Sequence, residues 1–333
     1  MLAMLEMMPP EDMFLADLFF PMFEQSLTEY VDIDIQKGTR KMAPFVAPVC
    51  EGHVVQKEGY MTNQIKVPYI KVKMPIKPGE ILNVRQAGDI IYQGNSSPQA
   101  RLAQRVAKDL AFLRGLIKKR IEWMASQMLQ AGTFSATGDD VIGEEFTINF
   151  NRNANHTTAL TGTALWNTTT AVPLEDLRTW RALIKQNGNA FADIIVMGSS
   201  ALNDFFAHAD VRNILDNRRM SFGYAEPQFL PGGGVFYGTL EGWKIYGYDE
   251  WTANAAGTLT ALVPSTGVMI GCSQARMVRH HAAIQDLRSM AAVEYFPKTW
   301  QQEDPSQEWL MLQSAPLCCP HQVDSTAFVT VTS

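Results

Sequence analysis

One helix constrains this chain more than any other feature. Ser97-Pro98 opens a run in which Leu102, Val106, Leu110, Leu113, Ile117, Ile121, Met124 and Met128 recur at three- and four-residue spacing as far as Gly132. Serine as cap, proline at the first helical position and glycine just past the end are start and stop signals for a helix over 98–131. Arg101, Arg105, Lys108 and Lys119 fall on the opposite face, so the rod has an apolar stripe and a basic side. At about 1.5 Å per residue it is roughly 50 Å long. Gly115, inside it, costs about 1 kcal/mol relative to alanine and marks a place where it could bend.

Before the helix, residues 47–92 alternate. Ile70, Val72, Met74 and Ile76 interleave with Lys71, Lys73, Pro75 and Lys77, which gives a strand with one buried and one wet face. Lys57-Glu58-Gly59-Tyr60 supplies a turn between 53–56 and 64–73, so the region reads as a long hairpin. A two-stranded hairpin is marginal alone in water and needs partners. Ahead of it, an arm carries Phe14, Leu18, Phe19, Phe20 and Phe23 with one short helix between Pro10 and Pro21. The arm cannot cover those side chains itself, so it should lie on its own core or on a neighbour.

After the helix come a strand at 146–150, a helix from Pro173 through Ile184, and a buried strand at 192–197. Gly198-Ser199-Ser200 is positioned to cap the next helix, and 210–219 forms another. Strands at 234–240 and 243–248 follow a Gly232-Gly233-Gly234 turn, making a compact α/β unit. Beyond Met269 the chain is strand-like, with a hairpin of 291–296 and 308–313 across 297–306, and a final alternating strand at 327–332.

The formal net charge of −6 is unevenly spread. Residues 1–36 hold eight acids and no base; 37–120 hold sixteen bases against five acids; 121–333 hold twelve bases and twenty-one acids. Opposite blocks let copies of one chain attract each other. The basic block could grip phosphates, but a pI near 5.6 and the lack of a recognition element favour a solvated face or subunit contact. At 46% hydrophobic and 19% charged the composition is that of a soluble globular protein, and no apolar run is long enough to span a bilayer. Met1–Glu6 lacks the basic flank of a signal peptide.

Chemical motifs are missing. Gly232 to Gly238 lacks dinucleotide-loop spacing, Gly198 to Leu202 lacks the second glycine of a nucleophile elbow, and there is no phosphate loop or HExxH. The acid pairs Asp139-Asp140, Glu144-Glu145 and Glu303-Asp304 sit among polar and turn residues and read as solvated loops. His280 and His281 would need partners, and as strand neighbours they point apart. Cys50, Cys272, Cys318 and Cys319 are too few for a disulfide framework and suit a reducing compartment. Cys318-Cys319 with His321 is half of a zinc site, but no second pair stands at ligand spacing, and buried apolar cysteines are the simpler reading. The expectation is a non-enzyme with no cofactor and no metal.

Other residues carry a resemblance. Val268-Met269-Ile270-Gly271, Ser273-Gln274-Ala275-Arg276, Ile284-Gln285-Asp286, Phe296-Pro297-Lys298-Thr299-Trp300, Asp304-Pro305 and Leu312-Gln313-Ser314-Ala315-Pro316-Leu317 form an ordered set. With Ala47-Pro48-Val49, Glu51-Gly52, Tyr69-Ile70-Lys71-Val72-Lys73 and Leu215-Asp216-Asn217-Arg218-Arg219, it resembles the major capsid proteins of lambda-type tailed phages over nearly the full length.

The resemblance implies an α+β, Hong Kong 97-like capsid fold. Its parts would be an N-terminal arm (1–38), an extended loop (50–92), a peripheral domain on a spine helix (97–172 and 290–316), an axial domain (173–287), and a terminal strand (317–333) returning to the axial domain. It implies self-assembly into hexamers and pentamers of an icosahedral head around non-specifically held double-stranded DNA. Portal and decoration proteins would be partners, along with a separate scaffolding protein because the chain starts so near the arm. The head would be assembled in the host cytoplasm, with no membrane partner. Candidate inter-subunit contacts are Lys66, Lys71, Lys73 and Arg85 of the loop and Arg101 and Arg105 of the helix, with Glu24, Glu29, Asp32 and Asp34 of the acidic arm as receivers. An encapsulin-like compartment and a soluble α/β enzyme are the alternatives.

Overall fold

The structure, a computed structural model, describes residues 13–35, 45, 61–79, 98–137, 145–215, 223–224, 227–254, 257–287 and 291–333. The spine helix runs Pro98–Ala131, as the spacing predicts. Of its stripe, Val106, Leu110, Leu113, Ile117, Ile121, Met124 and Met128 are buried, with Leu102 packed at the margin. Gly132 ends it at φ +66°, with its N–H bonded to the Met128 carbonyl at 2.9 Å.

The last helical carbonyls, which have no partner within the helix, are taken by one side chain. The Arg152 guanidinium donates to the Leu129 carbonyl at 2.6 Å and to that of Gln130. A cation at the negative end of the helix dipole is also favourable. Burial pulls Arg152 down to about 10, so it stays charged at neutral pH. Gly132→Ala should destabilise the fold by about 1–2 kcal/mol for the left-handed backbone alone, and more because the new Cβ would stand 2.6 Å from Arg152 Cβ. Chemical denaturation of the variant measures this.

Among the described residues the largest sheet is mixed and has eight strands. Ile194–Met197 pairs in parallel with Trp243–Tyr248 and antiparallel with Gly267–Gly271. Ala327–Thr330 continues the sheet beyond Gly267–Gly271, and Thr157–Ala159 pairs with it in parallel at the edge. The two central strands, Ile194–Met197 and Gly267–Gly271, are buried along their whole length, which is why they read as unbroken apolar runs rather than alternations. Helices Pro173–Gly188 and Ser199–Ala207 belong to this part. The serines after Gly198 make no side-chain cap; instead the Ala201 N–H reaches the Ser265 carbonyl at 2.9 Å. The helix expected at 210–219 is seen as Ala209–Leu215, and 216–222 lie outside the described residues.

His156 ties this sheet together. Its Nδ1 lies 2.9 Å from the Thr326 carbonyl, which can only accept, so Nδ1 carries the proton and Nε2 accepts from the Asn187 amide at 3.0 Å. Burial holds the ring below the ordinary value of 6.5. A second proton would put two donors face to face at Nε2, so the folded state resists protonation while the unfolded chain accepts it. This part of the stability is therefore present above pH 6.5 and is lost as pH falls below it. His156→Gln should give a shallower fall of melting temperature with acidification, shallower rather than flat because His280 and His281 are shifted the same way.

A second, three-stranded sheet consists of Phe296–Gln302, Gln307–Ser314 and Ile70–Ile76, in that order. It corrects two expectations. The first strand of the hairpin is not 291–296 with 297–306 as connection; it starts at Phe296 and runs to Gln302, and Pro297 is tolerated because that strand is the edge. Nor is 64–73 one strand, since the pairing breaks at Val67-Pro68-Tyr69. Met61–Lys66 pairs with the arm strand Tyr30–Ile35, whereas Ile70–Ile76 pairs with Gln307–Ser314. The other expected limb, 53–56, and its turn lie outside the described residues.

The arm folds home. Its helix, Leu15–Phe19, sits between the two predicted prolines, and Phe14, Leu15, Phe19 and Phe20 are buried in the common core. The Phe19 ring lies where a side chain of residue 271 would be, its Cε1 2.4 Å from an ideal Cβ there, so only glycine at 271 admits it. Arm strand Met22–Gln25 then pairs in parallel with Met277–His281.

Candidate functional site: the arm anchor and the outward charges

A file of polar residues runs down the spine helix beside its apolar stripe. Lys118, Glu122, Ser126 and Gln130 recur every fourth residue, on one face, and the first three are buried. The Glu122 carboxylate accepts the N–H groups of Leu15 at 2.5 Å and Ala16 at 3.0 Å and the Tyr248 hydroxyl at 3.1 Å. It thus satisfies first-turn donors of the arm helix. Burial raises its pKa, and the two backbone N–H groups and the Tyr248 hydroxyl pull it back only in part. Ser126 and Gln130 both donate to the Leu262 carbonyl. The sequence reading missed this file; its signal was the four-residue repeat of polar side chains next to the stripe.

The ten candidate contact residues do not gather in one place. Glu24, on Met22–Gln25, faces Arg276 at 3.2 Å and His280 Nδ1 at 3.9 Å. Lys66, expected to meet an acid of another copy, lies 3.7 Å from Glu29 of its own chain. Asp32 and Asp34 stand opposite Gln64 and Thr62 in the same ladder. Lys71 lies over the Tyr69 ring and Lys73 over the Trp309 ring, both lysines exposed. Arg105 pairs with Asp109 one turn on, at 3.0 Å. Arg101 lies near the start of the spine helix, and Arg85 is outside the described residues.

Apolar surface accompanies these charges. Phe112 and Leu116, one turn apart on the spine helix, are 55% and 40% exposed. Met22, Phe23 and Leu27 are exposed on the arm, and Trp300, stacked on Trp309, at the rim of the three-stranded sheet.

The cysteines expected as apolar filler are buried, yet Cys319 has company. Its sulfur and one ring nitrogen from each of His280 and His321 lie within 4.8 Å of one another. Burial pushes His280 down to about 4 and raises the Cys319 thiol. His281 points away and packs on Phe23, with ring centroids 4.8 Å apart. Among the described residues no helix is long and apolar enough to cross a membrane.

An acid-anchored arm, a spine helix, a three-stranded sheet carrying outward lysines and a buried mixed sheet together make the Hong Kong 97-like capsid architecture. A prophage capsid protein structure from E. coli CFT073 superposes with a TM-score of 0.70 over 98% of this chain and 94% of its own, at 19% identity. The holo-SrpI encapsulin of Synechococcus elongatus superposes at 0.52 over 98% and 92%, at 9% identity. The chain belongs to the phage major capsid protein E family, whose model matches residues 1–331. The major capsid protein of Escherichia phage lambda is 26% identical to it, over 94% of this chain and 92% of that one.

Proposed function

We propose that this major capsid protein closes an icosahedral head from hexamers and pentamers of itself, and that the head encloses double-stranded DNA. The observation that carries this is the surface a single copy leaves uncovered: Phe112 and Leu116 on the spine, and Lys71 and Lys73 above their rings on the loop sheet. Apolar patches next to displayed charge are what an interface needs. Membership of a structural family supports a non-enzymatic role.

The proposed divisions are an arm at 1–38, a loop at 50–92, a peripheral part at 97–172 and 290–316, an axial part at 173–287 and a returning strand within 317–333. Pairing of Thr157–Ala159 with Ala327–Thr330 favours placing those two strands with the axial sheet. Arg85, Arg101 and the arm acids Asp32 and Asp34 are proposed contacts between copies. A scaffolding protein, a portal protein and a decoration protein would be separate partners, assembly would take place in the host cytoplasm, and DNA would be held without sequence preference. The net charge of −6 fits a container whose wall does not cling to phosphate.

The encapsulin reading shares the fold and differs in cargo. Particles built of this chain should contain nuclease-protected double-stranded DNA. Particles filled with an enzyme and no nucleic acid would refute the proposal.

A further inference from the structure

We infer that His280, Cys319 and His321 form a binding site for a single zinc-class divalent cation. Strand register brings them together. Met277–His281 runs antiparallel to Pro316–Pro320 with Val278 opposite Cys319 and His280 opposite Leu317. His280 and Cys319 are therefore diagonal neighbours on one face of the ladder, close enough for side chains to meet. Cys318, on the other face, is directed at the spine helix, its sulfur 4.0 Å from the Ile121 carbonyl. The His321 N–H bonds to the Arg276 carbonyl at 3.1 Å, which continues the pairing and delivers the second imidazole.

The distances suit coordination. His280 Nε2 and His321 Nε2 are 3.1 Å apart, and the thiol sulfur lies within 4.8 Å of the other ligand atoms. Tetrahedral ligands bound at about 2.0–2.1 Å for nitrogen and 2.3 Å for sulfur stand roughly 3.3–3.6 Å from each other, so small side-chain adjustments close the site. Two imidazoles and a thiolate are a donor set for zinc rather than magnesium or calcium. His280 turns its Nε2 to the cluster and its Nδ1 to the Glu24 carboxylate at 3.9 Å, itself held by Arg276. A carboxylate behind a ligating histidine is the usual support for a metal-bound ring. Three protein ligands leave one tetrahedral position for a further ligand such as water. Binding breaks the Cys319 S–H bond, forms a metal–sulfur bond and releases the proton to water. Arm, strand Met277–His281 and the C-terminal segment would then be joined through one ion.

The test uses the full chain, freed of metal with a chelator and titrated with Co²⁺ alone. The expected result is a thiolate-to-cobalt charge-transfer band that saturates at one equivalent and is displaced by Zn²⁺, with Zn²⁺ raising the melting temperature. Cys319→Ser should abolish the band. His321→Gln, at a partly exposed position that leaves the fold intact, should weaken binding severely, and Glu24→Gln should weaken it by about 10–100-fold. Cys272→Ser should leave it unchanged. A chain that shows no saturable band, or one that binds cobalt with unaltered affinity in Cys319→Ser or His321→Gln, would overturn the site and leave the two rings as a simple hydrogen-bonded pair.

Discussion

Glu122→Ala is expected to lower the stability of the folded chain by about 3 kcal/mol and to make the arm the first point of proteolytic cleavage. The wild-type carboxylate holds two backbone N–H groups of the arm helix and the Tyr248 hydroxyl in a buried setting. Alanine leaves those donors without an acceptor, at roughly 1–3 kcal/mol each, offset by relief of the cost of burying a carboxylate, which its raised pKa records. Glu122→Gln keeps one acceptor oxygen and should lose less than half as much. Because the folded carboxyl is shifted upward, its ionisation opposes folding: its contribution is most favourable below the ordinary value of 4.5 and is lost as pH rises through the folded value. Urea unfolding of the variants with limited proteolysis reads both effects. An alanine variant as stable as wild type would show that the arm is held by Phe14, Phe19 and Phe20 alone.

The second large effect is on assembly. Reversing both Lys71 and Lys73 to glutamate should leave a folded chain, cost about 1–2 kcal/mol through two exposed cation–π contacts, and abolish shell formation. Both side chains lie over rings of their own chain and are exposed, so little of the fold depends on their charge. What changes is the surface shown to the next copy, where a reversed charge turns attraction into repulsion costing several kcal/mol per contact. Circular dichroism and sedimentation of the double variant separate the two outcomes. Shells forming normally would remove these lysines from the interface.

Elements fixed by local signals were legible in the sequence. The spine helix is bracketed in the sequence by Ser97-Pro98 and Gly132 and carries an eight-member apolar stripe, and the strand Ile194–Met197 is a short apolar run between turns. Partner choice was not legible. Nothing local shows that Met61–Lys66 pairs with the arm while Ile70–Ile76 pairs with Gln307–Ser314, because the proline that divides them, Pro68, is equally compatible with an edge strand. The arm acids looked free because the bases that meet them, Arg276 and Arg279, are more than two hundred residues away. A shorter separation, 41 residues between His280 and His321, hid the cluster at His280. Cys319 and His321 are near neighbours and were legible as half a site, whereas His280 joins them only through the register of two antiparallel strands. Glu122 was passed over because one acid beside a long apolar stripe looks like the ordinary margin of an amphipathic helix.

Electron microscopy of the purified chain, imaged alone and with a co-expressed scaffolding protein, bears most directly on whether it is a shell subunit. Closed particles of uniform diameter, or rings of five and six copies that close when the scaffold is added, are expected. A population of monomers or small closed oligomers under both conditions, with Phe112 and Leu116 still open to solvent, would contradict it.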